Sequence, residues 1–168
     1  MNQKKYIEDA KASKFGLWKL NFGLFKMIPF NKPHGIKIKT LKNNSIETFI
    51  PHKRKNLNHI KGIHACGLAT CAEFASGFLL LSRLDMKKYR IIMETIEMKY
   101  HYQAKTDVTA KFSFSEEWLN DKIITPLIKN EAIFIECIIE LYDTKNNHIA
   151  TGKTNWQIKD WDKVKTKV

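Results

Sequence analysis

The sequence predicts an α+β protein in which an antiparallel sheet of about six strands wraps around one long apolar helix. Segments with apolar residues at alternate positions, typical of half-buried strands, occur on both sides of a helical segment at about residues 64–82. That segment is apolar on nearly every side, so it must be buried on most of them. A single long helix among antiparallel strands therefore requires a sheet that curves around it.

The first half of the chain predicts a helix followed by a β-hairpin. Residues 3–28 carry apolar side chains at helical spacing, which indicates one amphipathic N-terminal helix ended by Pro29 and Pro33. Residues 36–50 alternate with period two around the Asn43-Asn44 pair, as in a hairpin with one exposed face. The apolar positions assigned to the N-terminal helix are Ile7, Ala10, Leu17, Trp18, Phe22, Leu24, Phe25 and Ile28.

Four strands are predicted after the long helix. The first, residues 90–102, places Ile92 and Ile96 on one side together with Met98, Tyr100 and Tyr102. Ser115, followed by two glutamates, predicts a short helix after the second strand. The other three strands are expected at about 108–114, 133–141 and 149–158, with a turn at 143–147 and a basic tail at 159–168.

Composition favours a single domain over residues 1–168 and a cytoplasmic location. The 168 residues are 43% apolar and contain no low-complexity linker. The three cysteines, Cys66, Cys71 and Cys137, lack disulfide-framework spacing, which suits a reducing compartment. No secretory signal is recognisable. The longest apolar region is interrupted by Glu73 and is short for a transmembrane helix, so we expect no membrane span.

The net charge of +12 favours anionic partners, although the residues that carry this charge do not indicate which class of partner. Nearly all of the positive charge is lysine, since arginine occurs only at Arg54, Arg83 and Arg90. With the abundance of Asn and Ile, this is consistent with the drift of an AT-rich genome. No motif for reading a nucleic-acid groove and no Cys/His metal-ligand spacing is found, so we predict no specific nucleic acid and no metal.

The segment from Asn58 to Gly77, NHIKGIHACGLATCAEFASG, places one carboxylate in the least polar helix of the chain. A buried charge is costly, so Glu73 is a functional candidate. Helical geometry predicts a strip of small, polar residues around it. The free backbone N–H groups at the helix start could stabilise a developing negative charge. The residues of the strip are Cys66, Thr70, Ser76 and Gly77.

The same segment resembles the signature of hotdog-fold thioesterases. Asn58 lies six residues before His64, and Glu73 lies nine residues after it. The pattern is most similar to the phenylacetyl-CoA-thioesterase-like (PaaI-like) branch, and within it to hotdog domains of unassigned function. The element order agrees over about residues 15–158. The sequence departs from the pattern where the family has glycine two residues after the histidine, because Cys66 stands there and glycine follows at Gly67.

The resemblance implies hydrolysis of an acyl-CoA or acyl-carrier-protein thioester in a cleft between two subunits, without a cofactor beyond the coenzyme A of the substrate. Glu73 would act as general base or nucleophile, and the N–H of Ala65 or Cys66 would stabilise the oxyanion. A homodimer or tetramer is expected, because one six-stranded sheet covers only part of the apolar helix. The implied catalytic residues are Asn58, His64, Ala65, Cys66 and Glu73, and the implied substrate-binding residues are Lys61, Gly67, Thr70, Ser76, Gly77 and Arg90.

Several alternatives stay open at this stage. Hotdog domains can bind acyl-CoA without hydrolysing it, and Cys66 in place of glycine favours such a binding module. Cys66 could instead be a nucleophile beside His64, although packing is its simpler role. His64 could merely orient the loop, and Asn58 could be an ordinary turn residue. A hydratase on the same fold is disfavoured because its pattern is not found. The candidates for an acyl pocket are Phe74, Phe78, Tyr100 and Tyr102.

Overall fold

The computed structural model describes residues 3–164 and contains the predicted sheet around a central helix. The central helix, α4, spans Ala65–Arg83, as the sequence predicted. The strands are β1 Lys37–Leu41, β2 Ser45–Ile50, β3 Tyr89–Tyr100, β4 Val108–Ser113, β5 Ala132–Asp143 and β6 His148–Asp160. All six pair antiparallel, in the order β1-β2-β4-β5-β6-β3.

The core lies between α4 and the concave face of the sheet. Leu79 and Leu80 of α4 are fully buried, as are Ile46 and Ile50 on the inward-facing positions of β2. Thr48 shares that face and is also fully buried. Its hydroxyl donates a hydrogen bond of 2.7 Å to the carbonyl of Cys71, which compensates for the burial of this polar group. Burial raises the pKa of the Cys71 thiol to about 12, so this cysteine stays protonated and packs as a core residue.

The predicted N-terminal helix over 3–28 is in fact two helices, α1 Gln3–Ala12 and α2 Lys14–Met27. Ser13 has extended backbone angles, and its hydroxyl accepts a hydrogen bond of 3.0 Å from the N–H of Gly16. This is an N-cap, which starts a new helix. Gly16 also permits α1 and α2 to cross closely, because a Cβ atom there would lie 2.0 Å from the carbonyl oxygen of Asp9.

The buried face of α2 differs from the predicted one. Leu20 and Leu24 are buried, whereas Trp18 and Phe22 are 60% and 53% exposed. The helix lies along β1, the edge strand of the sheet, where the side-chain amide of Asn21 donates to and accepts from the backbone of Ile38, both at 2.9 Å. Asn21 thereby occupies hydrogen-bonding groups that an edge strand would otherwise leave open.

Strand β3 forms the opposite edge of the sheet and contains a β-bulge. Its register to β6 shifts between Met93 and Thr95, so Glu94 is an extra residue. An extra residue exchanges the two faces of a strand. Ile92 therefore lies on the opposite face from Ile96, contrary to the prediction, and is 46% exposed. None of the twelve residues of β3 is fully buried in the single chain.

The remaining elements connect the strands. The predicted helix after β4 begins at Glu116, where Ser115 caps it by accepting a hydrogen bond from Trp118 N–H. Strand β6 continues to Asp160, so the predicted tail at 159–168 starts inside the strand, and its residues 165–168 lie outside the described chain. The shorter elements are α3 Asn31–His34, α5 Glu116–Leu119, a π-helical turn Asn120–Ile124, α6 Thr125–Lys129, and 3-10 turns Arg54–Asn56 and Trp161–Lys163.

Helix α4 is long and apolar enough to cross a membrane by length and composition. It is also the helix around which the sheet wraps, and its residues 74–80 are all buried within the chain. Among the helices of residues 3–164, no other passes the same test. The apolar character of α4 therefore matches its position in the core.

Candidate active site

The start of α4 offers one free backbone donor. His64 is the N-cap, and its Nδ1 accepts a hydrogen bond of 3.1 Å from the N–H of Cys66. The N–H groups of Gly67 and Leu68 donate to the His64 carbonyl. Within residues 3–164, the N–H of Ala65 has no partner. Of the two predicted oxyanion donors, Cys66 is thus occupied by His64, and Ala65 is free.

Asn58 shapes the loop that leads to this helix. Its side-chain oxygen accepts hydrogen bonds from the N–H groups of Ile60 and Gly62, at 3.1 and 3.0 Å. Its own backbone N–H donates to the Gly62 carbonyl at 2.8 Å. Lys61 completes the turn with a positive φ of 61° and is exposed. Asn58 is therefore a turn residue whose side-chain oxygen is already used by the backbone.

A cavity of about 330 Å³ adjoins the helix start. Its walls include Asn58, Ala65 and Leu68 together with Tyr100 and Tyr102, and neither His64 nor Glu73 lines it. The Tyr100 hydroxyl donates a hydrogen bond of 3.0 Å to the Ala65 carbonyl. Burial raises the pKa of this tyrosine, with a smaller contribution from the nearby Cys66 thiol. Two of the four predicted pocket residues, Tyr100 and Tyr102, thus meet the helix start.

The loop after β3 forms one wall of this cavity, and no pattern in the sequence indicated that role. The side chain of Gln103 donates to the Ile60 carbonyl at 3.0 Å, and the Ala104 carbonyl accepts from Ile63 N–H at 2.9 Å. Both contacts tie residues 103–104 to the segment that precedes α4. They join positions about forty apart in the chain, so periodicity alone could not have found them.

Glu73 lies on a half-exposed strip of α4 together with Cys66, Ala69 and Thr70. These residues are three or four apart, so they share one face of the helix. Burial raises the pKa of the Glu73 carboxyl above its ordinary value of 4.5. In the described part of the chain, this carboxyl has neither a hydrogen-bond donor nor an ion-pair partner. Partial burial without compensation is typical of a functional carboxylate.

Two residues predicted for this strip, Ser76 and Gly77, lie elsewhere. The Ser76 hydroxyl is 3.0 Å from the Thr154 hydroxyl and accepts a hydrogen bond of 3.0 Å from the indole N–H of Trp156. A Cβ atom on Gly77 would lie 2.6 Å from the same indole ring. Both residues are buried against β6, so the structure assigns them to helix–sheet packing and not to the open strip.

Two further predicted binding residues are placed apart from the strip. Gly67 faces β2, where an added Cβ atom would lie 2.9 Å from Cδ1 of Ile50. Arg90 donates a hydrogen bond to Gln157 near the start of β3. It precedes Tyr100 by ten residues, about 33 Å in an extended strand. Arg90 therefore does not meet the helix start of its own chain.

Positive charge lies beside the start of α4. The backbone N–H of His64 donates to the Asn56 carbonyl at 2.7 Å, which joins the basic segment 53–55 to the helix start. Together with the exposed Lys61, this segment could contact phosphate groups. Nowhere in residues 3–164 do three His, Cys, Asp or Glu side chains converge in an arrangement suited to a metal ion.

Residues 16–158 match the family described as "Domain of unknown function (DUF4442)". The chain belongs to the DUF4442 family. No curated protein matches it. Residues 16–158 include the whole sheet up to Ile158, the central helix and every predicted site residue.

Solved structures similar to this DUF4442 chain confirm the hotdog fold. One is a Pseudomonas aeruginosa protein of unknown function described as a probable thioesterase, with a TM-score of 0.75 and 20% identity over 81% of this chain and 90% of that one. Another is a thioesterase from Haemophilus influenzae, with a TM-score of 0.69 and 12% identity over 89% and 94%. A third, of unknown function from Chlorobaculum tepidum, has a TM-score of 0.71 and 14% identity over 84% and 92%.

Replacing His64 of this DUF4442 chain tests its capping role at the start of α4. We expect His64→Ala to lower the free energy of unfolding by about 1 kcal/mol, because it removes the acceptor for Cys66 N–H. His64→Ser should restore most of this loss, since serine is a strong N-cap. Urea unfolding of the three proteins would measure it. Equal stability of the alanine and histidine proteins would contradict the capping role.

Proposed function

We propose that the protein is a thioesterase that acts on acyl-CoA or acyl-carrier-protein substrates, with Glu73 as general base or nucleophile. The observation that carries this proposal is the half-buried Glu73 carboxyl, which lacks a partner among the described residues and has a raised pKa. The free N–H of Ala65 at the start of the same helix supplies the second group that the reaction needs. The similarity in fold to proteins described as thioesterases supports the same chemistry.

The reaction requires a nucleophile and a donor for the oxyanion. With Glu73 as base, the carboxylate takes a proton from water, whose oxygen adds to the thioester carbonyl. The oxygen of that carbonyl becomes negative and accepts a hydrogen bond from Ala65 N–H. The positive end of the helix dipole also stabilises this negative charge. When the C–S bond breaks, the thiolate receives the proton from Glu73. The products are a carboxylic acid and free thiol.

The spacing of these two groups favours a site between two chains. Ala65 and Glu73 are eight residues apart, about 12 Å along a helix, whereas a nucleophile must approach within about 3 Å of the carbonyl carbon. Two α4 helices that pass antiparallel around Ala69 would bring Glu73 of one chain to Ala65 of the other. The strip residues at the crossing, Cys66, Ala69 and Thr70, are small enough for close approach.

A dimer also explains the exposed edge of the sheet. Strand β3 is a twelve-residue edge strand, and its apolar side chains Ile96 and Met98 are only partly buried in one chain. Long apolar edges associate with other strands unless they are protected. We therefore expect at least a dimer in solution, and a tetramer is compatible. Sedimentation that found a stable 19.7 kDa monomer at micromolar concentration would refute the two-chain site.

Substrate recognition is proposed to use the basic residues beside the helix start. Lys61 and the segment 53–55 are the candidates for the phosphates of coenzyme A or the phosphopantetheine of a carrier protein. The acyl group would enter the cavity bordered by Tyr100 and Tyr102. This chemistry needs no cofactor, because coenzyme A is part of the substrate. Acyl-CoA metabolism fits the proposed cytoplasmic location.

A panel of acyl-CoA substrates tests the function directly. Acetyl-, medium-chain, palmitoyl- and phenylacetyl-CoA would be supplied to the purified protein, and the free thiol would be measured over time. We expect saturable release with at least one of them. The same panel should be repeated with acyl-carrier-protein thioesters. Release no faster than the uncatalysed rate with every substrate would exclude a thioesterase.

A non-catalytic thioester-binding protein is the second candidate. It is favoured by Cys66, which replaces the glycine of the family pattern and whose N–H is already bound by His64. Among the described residues, that bond leaves Ala65 as the single free donor at the helix start. Binding of a non-hydrolysable acyl-CoA thioether, without turnover of the matching thioester, would favour this candidate.

A further inference from the structure

Helix α2 presents a continuous row of exposed aromatic rings, which we call the aromatic ladder: Phe15, Trp18 and Phe22. The three residues share one helix face, and each is more than half exposed. Their rings are nearly parallel, with angles of 5° and 20° between neighbours and centroid distances of 5.9 and 5.8 Å. Large apolar side chains grouped at a surface usually mark an interaction site.

Positive charge accompanies the aromatic ladder along α2 and β1. The ammonium group of Lys19 lies 4.3 Å from the centre of the Phe15 ring, and that of Lys26 lies 4.8 Å from the centre of the Phe22 ring. Lys14 begins the same helix, and two further exposed lysines stand on the neighbouring β1. The sequences of α2 and β1 contain no Asp or Glu. The surface is therefore apolar in the middle and cationic along α2 and β1, whereas the neighbouring α1 carries two exposed carboxylates.

The apolar surface continues into a groove beside the ladder. This groove has a volume of about 330 Å³ and lies between α1, α2 and the second half of α4. Trp18 and Phe22 of the ladder also line the groove. Met27 extends the apolar surface toward the end of α2. Phe78 of α4, which the sequence suggested for an acyl pocket at the active site, lines this groove instead.

The ladder lies at the edge of the sheet opposite to the edge proposed for the dimer. Helix α2 is fixed to β1 by the two hydrogen bonds of Asn21, and β1 is one edge strand of the sheet. Strand β3 is the other edge, and four strands separate the two. The site proposed for thioester hydrolysis contains no residue of the ladder, so the inference below does not depend on the thioesterase proposal.

We propose that the aromatic ladder and its lysines dock on the surface of an anionic lipid bilayer, with α2 lying in the plane of the interface. Tryptophan and phenylalanine partition into the interfacial layer of a bilayer, and lysine is attracted to anionic headgroups. The absence of carboxylates on α2 and β1 makes this surface complementary to such a membrane. With fourteen residues, α2 is too short to span a bilayer and suits only peripheral binding.

Other occupants fit the surface less well. Single-stranded nucleic acid binds by stacking bases on open ring faces. Here the ring faces are turned toward one another or covered by Lys19 and Lys26. A second copy of the chain would bring like-charged lysines together around the ladder, which opposes association. An anionic lipid surface accommodates both the rings and the charges.

Vesicle binding by the full chain tests the proposal. The probes are vesicles of phosphatidylcholine alone and vesicles of phosphatidylcholine that contain phosphatidylglycerol, with bound protein measured by flotation. We expect binding to the anionic vesicles that weakens as salt screens the lysines, and much less binding to phosphatidylcholine alone. The triple variant Phe15→Ser, Trp18→Ser, Phe22→Ser should lose at least about tenfold in binding, because the inserted rings are removed.

Matched controls separate the surface from general properties of the protein. Ile128→Ser with Phe134→Ser removes exposed apolar side chains elsewhere, and this variant should bind as the parent does. Lys14→Gln, Lys19→Gln, Lys26→Gln should weaken binding, whereas Lys105→Gln, Lys129→Gln, Lys145→Gln, with the same change in charge, should not. Circular dichroism would verify folding of each variant.

Three results would overturn the proposal. The first is a parent protein that does not float with anionic vesicles at low salt. The second is equal loss of binding in the two lysine variants, which would reduce the effect to net charge. The third is a parent dimer or tetramer that dissociates when the ladder is replaced, which would identify a second copy of the chain as the occupant.

Discussion

Glu73→Gln is expected to lower thioester turnover by at least about 10²-fold, the lower range for loss of a general base. Glutamine keeps the size of the side chain but can neither take a proton from water nor attack a carbonyl carbon. Oligomeric state and binding of an acyl-CoA thioether should be unchanged, because no buried charge loses a partner. Thiol release under saturating substrate, compared with thioether binding by calorimetry, would measure the two effects separately.

Cys66→Ala is the matched control on the same strip of α4. This change leaves Glu73 and the Ala65 N–H in place, so we expect turnover to be kept or raised. If Glu73→Gln retained full activity and Cys66→Ala lost it, the nucleophile would be Cys66. If the parent itself released no thiol from any substrate, the binding-module candidate would take precedence over the thioesterase.

The raised pKa of Glu73 adds a stability effect with a defined sign. Because burial raises the pKa in the folded chain above the ordinary 4.5, the folded state binds the proton more tightly than the unfolded state. Ionisation of Glu73 therefore destabilises the fold as pH rises through the raised value. Glu73→Gln should be at least as stable as the parent at neutral pH, and this advantage should vanish below pH 4.5. Chemical unfolding at the two pH values would check it.

Gly77→Ala is expected to destabilise the protein by about 1–3 kcal/mol, the usual cost of overpacking a core. The new methyl group would lie 2.6 Å from the Trp156 ring, closer than van der Waals contact allows. The ring is nearly fully buried and is held by hydrogen bonds from its N–H to Ser76 and Thr154, so it has little freedom to move. Urea unfolding would give the change in free energy.

Gly23→Ala provides the opposite result in the same assay. Gly23 lies inside α2, and a Cβ atom there meets nothing within 4 Å. Alanine in a helix restricts the unfolded chain more than glycine does, so we expect stabilisation by about 0.4–1 kcal/mol. Equal effects of the two substitutions would show that the close contact of Gly77 with Trp156 does not determine stability.

Features set by neighbouring residues were predictable from the sequence. The apolar run of α4, the period-two alternation around Asn43-Asn44 and the Ser115 cap each depend on residues a few positions apart. Glu73 was recognisable for the same reason, because a single charge in an apolar helix stands out against its neighbours. Its role in catalysis stays a prediction.

The faces of the N-terminal helices and of β3 required the tertiary structure. Helix α2 has leucines on one face and aromatic rings on the other, so periodicity could not tell which face is buried. Packing against β1 buries Leu20 and Leu24 and leaves the aromatic ladder outside. In β3, the extra residue Glu94 inverts the alternation, and a bulge is defined only by the pairing with β6.

The sequence by itself determined the α+β class, the central helix and the position of its one carboxylate, since these follow from local periodicity and composition. Only the tertiary structure decided which residues accompany that carboxylate. It placed Ser76 and Gly77 against Trp156, used His64 to cap Cys66, and put Arg90 at the far end of β3. The contacts of Ser76, Gly77 and Arg90 join residues distant in the chain, and their geometry depends on how the sheet curves around α4, which no local pattern encodes.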